Sequence, residues 1–341
     1  MRLGLFVGEI GPGSSEAGNW TFIKEIYDDW KTRYEIDIYK SKKIESPLFR
    51  RRFQRRAYRE SIRALLRRND VCFFEWASDL LVTASHLPKT CKIITRLHSY
   101  EIFAWAPKVD WDKVDKIILV SQAMKHEFIA LFPAQSHKIE VVDYGKDLYR
   151  YQPVNRSFNF DIGMLADFIP RKRVYEMIMI LHSLRSRGYN PHLHIGGRRR
   201  HGPDIDEYFE ATKRLISKLG LEDSITLTSP VTDAHSWLQS IDIFISNSYW
   251  EGLQNALIEA MATGCYCISH AWGGVEEALP AENICVTDRE LEEKIIQYSA
   301  LPEIEKSARR ALMRKKAEEK FDVHVTCAKM RDILDNLNGL K

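Results

Sequence analysis

IDIFISNSYWEGLQNALIEAMATGCYCISHAWGGVEEA, residues 241–278, is the stretch on which the reading of the whole chain turns. An apolar run over 241–246 has the character of a buried strand and breaks at Asn247, Ser248, Tyr249 and Trp250. Glu251 and Gly252 stand just before a helical pattern over 253–262 that carries Glu259. A second apolar run over 265–269 follows, and a Gly273-Gly274 turn opens onto Glu276 and Glu277. Strand, polar turn, helix, strand puts a helix N-terminus at the carboxyl edge of a parallel sheet, where open α/β sheets bind ligands. A phosphate there meets unpaired backbone N–H groups and the positive end of the helix dipole. Glu251 is expected at the mouth of that site, and Glu259 roughly 12 Å further on if the segment is helical throughout. One carboxylate could then face a sugar and the other a ribose. Equally, Glu251 could be a helix-start residue stabilised by the dipole and Glu259 part of a solvated face; spacing alone leaves both readings open.

Outward from this stretch, strands are expected at 3–7, 36–39, 71–74, 92–97, 116–120 and 139–142, and again at 160–165, 192–197 and 225–228, with helical patterns between several of them. Alternating strands and helices argue for mostly parallel sheets wound on both faces. At 341 residues the chain is longer than one core usually grows, so two domains of about 150 residues each are the default. The boundaries read from the sequence are an N-terminal domain over 1–150, a linker YQPVNRS over 151–157, and a C-terminal domain over 158–320. A last helical segment over 321–341 is open to packing back toward the first domain.

With 45% hydrophobic and 28% charged residues the composition is that of an ordinary globular protein rather than a disordered or membrane-spanning one. The N-terminal MRLGLFVGEIGPG is too short an apolar run for a signal peptide. The six cysteines form no C-x-x-C pair and several fall in apolar runs, which suits reduced thiols in the cytoplasm better than disulfides or a zinc site. The net charge of +3 hides an asymmetry: residues 49–68 hold nine arginines against one acid, Glu60, a local +8 that leaves −5 for the rest. A uniformly basic nucleic-acid-binding chain is therefore not expected. For the arginine segment three readings compete: a solvated basic face, docking of Arg50, Arg51, Arg52, Arg55 and Arg56 to an anionic membrane surface, or binding of a phosphorylated or polyanionic acceptor.

Other candidate site residues lie at strand ends. Gly11 and Gly13 belong to a glycine-rich first loop that would let backbone approach a phosphate. The loop is not a dinucleotide fingerprint, because Glu16 replaces the third glycine, and Asp37 is embedded in an alternating strand. His98, in RLHSYE, ends a strand where active-site groups gather, with Ser99, Tyr100 and Glu101 beside it. Arg171, Lys172 and Arg173 cluster where a loop meets a helix expected over 172–187. Cations there oppose the helix dipole, which favours a phosphate between them. The strand HLHIGG leaves through Gly197, a further candidate for donor contact.

Together these residues resemble the retaining GT-B glycosyltransferases, in particular glycosyltransferase family 4, over nearly the whole chain. The E-x7-E element matches as Glu251 and Glu259, and IGMLADFIPRKR resembles the donor-phosphate loop with Lys172 as its lysine. RLHSYE resembles the strand-end histidine motif, DKIILVSQAMKHEF the serine-bearing strand and helix, and VDYGKDLYRYQP the segment leading into the linker. The resemblance implies two Rossmann-like domains with parallel sheets facing a central cleft, the acceptor held mainly by the first and the nucleotide sugar by the second. It implies transfer with retention, no metal and no cofactor, and a nucleotide-sugar co-substrate, UDP-sugar ahead of GDP- or ADP-sugar. The acceptor would be a glycan or a lipid-linked molecule in surface polysaccharide or glycoconjugate synthesis. Glu251, His98 and Lys172 are the implied catalytic residues; Glu259 would bind the ribose, and Gly252, Leu253, Lys172 and Arg171 the donor. Met164 stands where the family usually has an arginine, and Arg171 or Arg173 is expected to compensate. The expected setting is cytoplasmic, open to peripheral attachment at the inner face of the plasma membrane. Alternatives are a GT-B epimerase or phosphorylase, and a non-catalytic protein that binds membrane or RNA through the segment 50–68.

Overall fold

A computed structural model describes residues 1–8, 17–40, 50–199 and 202–339, without the side chains of 17–19 and 50–53. It divides into two units, one formed by Met1–Gly145 with Val323–Lys341 and the other by Lys146–Asp322. The crossing point is therefore Gly145 to Lys146 rather than residue 150, and residues 146–151 belong to the second unit.

The first unit is a parallel sheet of β1 (Arg2–Phe6), β2 (Glu35–Ile38), β3 (Val71–Phe74), β4 (Lys92–Leu97), β5 (Lys116–Leu119) and β6 (Ile139–Val141), in the order β2-β1-β3-β4-β5-β6. Helices α1 (Lys24–Trp30), α2 (Arg50–Arg68), α3 (Asp79–Ser85), α4 (Glu101–Ala104) and α5 (Gln122–Leu131) cross between its strands. VCFF in β3 is buried at every position, the mark of a central strand covered on both faces. The core takes in Leu3, Leu5, Trp30, Phe73 and Ile94. Val323, Cys327, Met330 and Leu334 of the last helix, named α12 below, belong to the same cluster.

The second unit repeats the plan with β7 (Asp161–Leu165), β8 (His192–Gly196), β9 (Ile225–Thr228), β10 (Ile243–Ser246), β11 (Tyr266–His270) and β12 (Ile284–Cys285), ordered β12-β11-β10-β7-β8-β9 and parallel throughout. Its helices are α6 (Val174–Ser186), α7 (Pro203–Lys218), α8 (Ala234–Gln239), α9 (Asn255–Ala262), α10 (Asp288–Ser299) and α11 (Glu303–Lys320). Residues 300–302 separate α10 from α11, and Phe321 and Asp322 separate α11 from α12 (Val323–Asn338), so the last helical segment expected over 321–341 is a helix of its own.

Chain order reverses between β7 and β10, which are hydrogen-bonded neighbours although about eighty residues apart. The loops leaving those two strands therefore lie side by side at the carboxyl edge, the switch point where doubly wound sheets take ligands. In the first unit the same reversal falls between β1 and β3. Two helix starts differ from expectation. The first turn before α6 is a 3-10 turn over Pro170–Lys172, and Arg173, at φ 55°, breaks it from the helix. The helix after β10 begins at Asn255 rather than Leu253, because Gln254 is extended and residues 250–254 run as a loop. All six cysteines are free and five are buried, in keeping with their apolar settings.

Candidate active site

The second unit's switch point gathers one acid and two cations. Glu251, on the loop after β10, is 7% exposed. Its Oε2 accepts from Arg171 Nη1 at 3.1 Å and its Oε1 accepts from the Lys172 ammonium. Arg171 also donates to the Trp250 carbonyl at 2.7 Å, and Tyr249 N–H donates to the Arg171 carbonyl at 3.0 Å, so the two loops are stitched together. Burial works to raise the Glu251 pKa, but the Lys172 and Arg171 charges beside it outweigh burial and hold it below the usual carboxylate range. The anion expected between the clustered cations is thus, in this structure, the Glu251 side chain. Because Glu251 sits four residues before α9, the helical spacing to Glu259 assumed from the sequence does not apply.

Arg173 is placed differently from its neighbours. Its guanidinium reaches Asp288 at 2.7 and 2.9 Å and Asn247 Oδ1 at 3.4 Å, while Asn247 Nδ2 returns a bond to the Arg173 carbonyl at 2.8 Å. His270 Nε2 meets the same Asp288 at 3.0 Å. Arg173 therefore braces the strained left-handed residue at the head of α6, and its charge is committed to Asp288. Met164, which stands where the resemblance leads one to expect an arginine, is buried in β7. Of the two arginines expected to compensate, Arg171 meets Glu251 and Arg173 meets Asp288.

Gly252 and Leu253 lie in the loop before α9, not in its first turn. Beyond them, Gln254 Oε1 and Asn255 Oδ1 are buried with no hydrogen-bond partner among the described residues. Native proteins rarely leave such atoms unsatisfied, and both residues follow Glu251 closely in the sequence. Glu259, one turn into α9, pairs its Oε1 with Lys146 Nζ at 2.8 Å. Gly197 has a packing reason to be glycine: at φ 158° a Cβ would come within 1.8 Å of the Ala166 carbonyl oxygen, where the exits of β7 and β8 converge.

In the first unit His98 follows β4 directly, as expected, and is 5% exposed. The Glu101 carboxylate accepts from the backbone N–H of His98 at 3.0 Å and of Ser99 at 2.8 Å, which fixes the turn. His98 Nε2 faces two acceptors of Glu75, the carbonyl at 2.9 Å and Oε1 at 3.0 Å, so it carries the hydrogen, and Nδ1 takes the Tyr144 hydroxyl. The ring stacks on Trp76 at 3.8 Å between centroids. Beneath it Glu75 pairs with the fully buried Arg96 at 2.5 Å. Glu75, Trp76, Arg96 and Tyr144 were not singled out from sequence as site residues; strand-end position after β3, shared with His98 after β4, was the available signal.

Gly11 and Gly13 lie outside the described residues. Along α2, Arg55 and Arg56 are exposed, as are Arg59 and Arg67. Arg63 pairs with Glu60 at 2.5 Å and Arg68 with Asp37, while Ile62, Leu65 and Leu66 face the core. The side chains of Arg50, Arg51 and Arg52 lie outside the described residues. Among the described residues no group of three His, Cys, Asp or Glu side chains is placed to hold a metal, and no helix is long and apolar enough to cross a membrane.

Residues 159–300 match the family described as Glycosyl transferases group 1. The chain is 26% identical over 162 residues to the capsular polysaccharide biosynthesis glycosyltransferase CapM of Staphylococcus aureus, covering 43% of this chain and 40% of that protein. It thus spans about two fifths of the length of that curated relative. Among solved structures it is similar to HepE of Anabaena in complex with UDP and glucose, with a TM-score of 0.78 at 16% identity, over 98% of this chain and 99% of the other. It is likewise similar to sucrose-phosphate synthase from Thermosynechococcus elongatus, with a TM-score of 0.80 at 14% identity over both whole chains. At those identities the structural likeness speaks for the fold, which is of the GT-B type.

Proposed function

We propose that this chain, whose second unit is a domain of the group 1 glycosyltransferases, moves a sugar from a nucleotide-sugar donor to a glycan or lipid-linked acceptor in surface polysaccharide synthesis. The observation that carries the reading is the Arg171–Glu251–Lys172 cluster at the β7/β10 switch point. Two cations on one loop, held against an acid on the next, are set to exchange that acid for the donor's diphosphate. As the glycosidic bond to the phosphate breaks, negative charge grows on the leaving group, and preplaced ammonium and guanidinium groups stabilise it without reorganisation. Glu251, released from its cations, is left to accept hydroxyls of the donor sugar. Glu259 accepts the ribose hydroxyls, and the unpaired Gln254 and Asn255 oxygens offer further acceptors.

Retention at the anomeric carbon, with the departing phosphate taking the acceptor's proton, is the course we infer, together with catalysis that draws its positive charge from Arg171 and Lys172 rather than from a metal. Support for a uridine nucleotide comes from HepE, a structural relative solved with UDP. A thermal-shift panel of UDP-, GDP- and ADP-sugars tests the donor: one nucleotide is expected to raise the melting temperature. Glu259→Ala should weaken its binding about tenfold or more, the loss that follows removal of a hydrogen-bonding charge. No stabilisation by any nucleotide would refute the donor site. Release of free sugar nucleotide epimer in the absence of acceptor would instead favour an epimerase.

A second reading concerns α2. Exposed Arg55, Arg56, Arg59 and Arg67 on a helix whose other face is buried favour attachment to an anionic membrane at the cytoplasmic side. Each such cation contributes about 1 kcal/mol near an anionic bilayer. The chain is expected to sediment with anionic but not neutral liposomes, and less so in high salt. Replacing Arg50, Arg51, Arg52, Arg55 and Arg56 together should abolish the effect. Equal sedimentation with neutral lipid contradicts the electrostatic account.

A further inference from the structure

Lys146 is the first residue of the second unit and is 5% exposed, although lysine ammonium groups ordinarily extend to water. Its backbone is fixed: the N–H donates to the Phe321 carbonyl at 2.8 Å, and the residue forms a β-bridge with Asp322. The next residue, Asp147, accepts from the N–H groups of Tyr149 at 3.0 Å and Arg150 at 3.3 Å, which shapes the turn that follows. Arg314 of α11 then clasps the strap, donating to the carbonyls of Leu148 and Tyr151 and, at 2.6 Å, to that of Ala262, the last residue of α9. One guanidinium thus ties the strap bearing Lys146 to the helix bearing Glu259. The ammonium meets Glu259 Oε1 at 2.8 Å.

A lysine buried in this way is a poor device for stability, since buried ion pairs commonly do no better than apolar side chains of the same volume. What such a pair does supply is direction. It fixes one carboxylate oxygen on a rigid element, while the Glu259 side chain, 13% exposed, keeps an opening to solvent. An ionised carboxylate has about four acceptor sites, so one engaged oxygen still leaves room for two hydroxyl donors.

We propose that Lys146 is a positioning residue that sets the donor site's preference for a ribonucleotide, by holding Glu259 where it accepts the vicinal hydroxyls of the ribose. The proposal rests on the ribose role given to Glu259 above.

Calorimetric titration of the full chain with UDP, GDP and ADP, each beside its 2′-deoxy counterpart, tests both assignments. The wild type should bind its preferred ribonucleotide about tenfold tighter than the deoxy form. K146M should lose that preference by weakening the ribonucleotide alone, and K146R should recover part of it. Equal weakening of ribo and deoxy forms in K146M overturns the proposal, because a structural defect has no reason to sense one hydroxyl. An undiminished preference in K146M, or no preference in the wild type, overturns it too. E259Q separates the two levels: if it keeps the wild-type preference, Glu259 is not on the ribose, and that reading falls together with the role of Lys146 that rests on it. If E259Q loses the preference while K146M keeps it, only the role of Lys146 falls. Should K146M fail to fold, K146Q makes the same comparison, with the same outcomes deciding.

Discussion

Lys172→Ala lowers kcat/KM for sugar transfer about a hundred- to a thousandfold, the scale seen when one preorganised stabiliser of developing charge is removed. The ammonium is nearly buried at the switch point and bonded to Glu251, so it is already desolvated and needs little rearrangement to meet a phosphate. The fold should survive, because Arg171 remains beside Glu251 at 3.1 Å and no buried acid is stranded. Melting temperature without nucleotide is therefore expected to stay near that of the wild type, while the shift produced by nucleotide shrinks. Lys172→Arg keeps the charge but spreads it over a planar fork, so it should retain an intermediate rate. Transfer at the wild-type rate by folded Lys172→Ala would remove this lysine from the chemistry.

Asp242→Ala, by contrast, unfolds the second unit more easily without touching the site. Asp242 is 1% exposed, just before β10. Its Oδ2 accepts from the N–H groups of Asn159 and Asp161, both at 2.9 Å, and its Oδ1 meets Arg156 at 2.8 Å. Arg156 also holds Asp161 at 2.9 Å and the Ser240 carbonyl at 2.6 Å. Truncation strands a partly buried guanidinium and two backbone donors at the entry to β7. Breaking a buried pair in this way costs about 3–5 kcal/mol, or roughly 10 °C in Tm for a unit of this size. Differential scanning calorimetry measures it, and a change under about 1 kcal/mol would show that this network is replaceable by water. Nucleotide affinity of the protein that remains folded should be unaltered.

Much of this architecture was legible in the residues. VCFF and IFIS announce parallel strands because strands covered on both faces need apolar side chains at successive positions, and both are buried throughout. His98 could be placed at a strand end for the same reason, and Glu251 and Lys172 on the loops between a strand and the next helix. The helix start at Asn255 could not, since 253–262 has continuous helical periodicity. What moves the start is Gln254, extended so that the preceding loop reaches the cations across from it.

The pairings were hidden. Nothing local to GMLADFIPRKR or to YWEGLQN says that Arg171 and Lys172 meet Glu251 while Arg173 turns to Asp288. Those partners are 79, 80 and 115 residues apart, and only the adjacency of β7 and β10 brings the loops together. Lys146 illustrates the same limit: in YGKD it reads as one more polar loop residue, and its burial against Glu259 follows from the strap that Arg314 draws onto α9. By itself, then, the sequence determined two doubly wound parallel sheets and which residues stand at their carboxyl edges, because hydrophobic periodicity and strand ends are local properties. Only the tertiary structure decided which charge faces which, because ion pairing acts over a few ångströms in space regardless of separation along the chain.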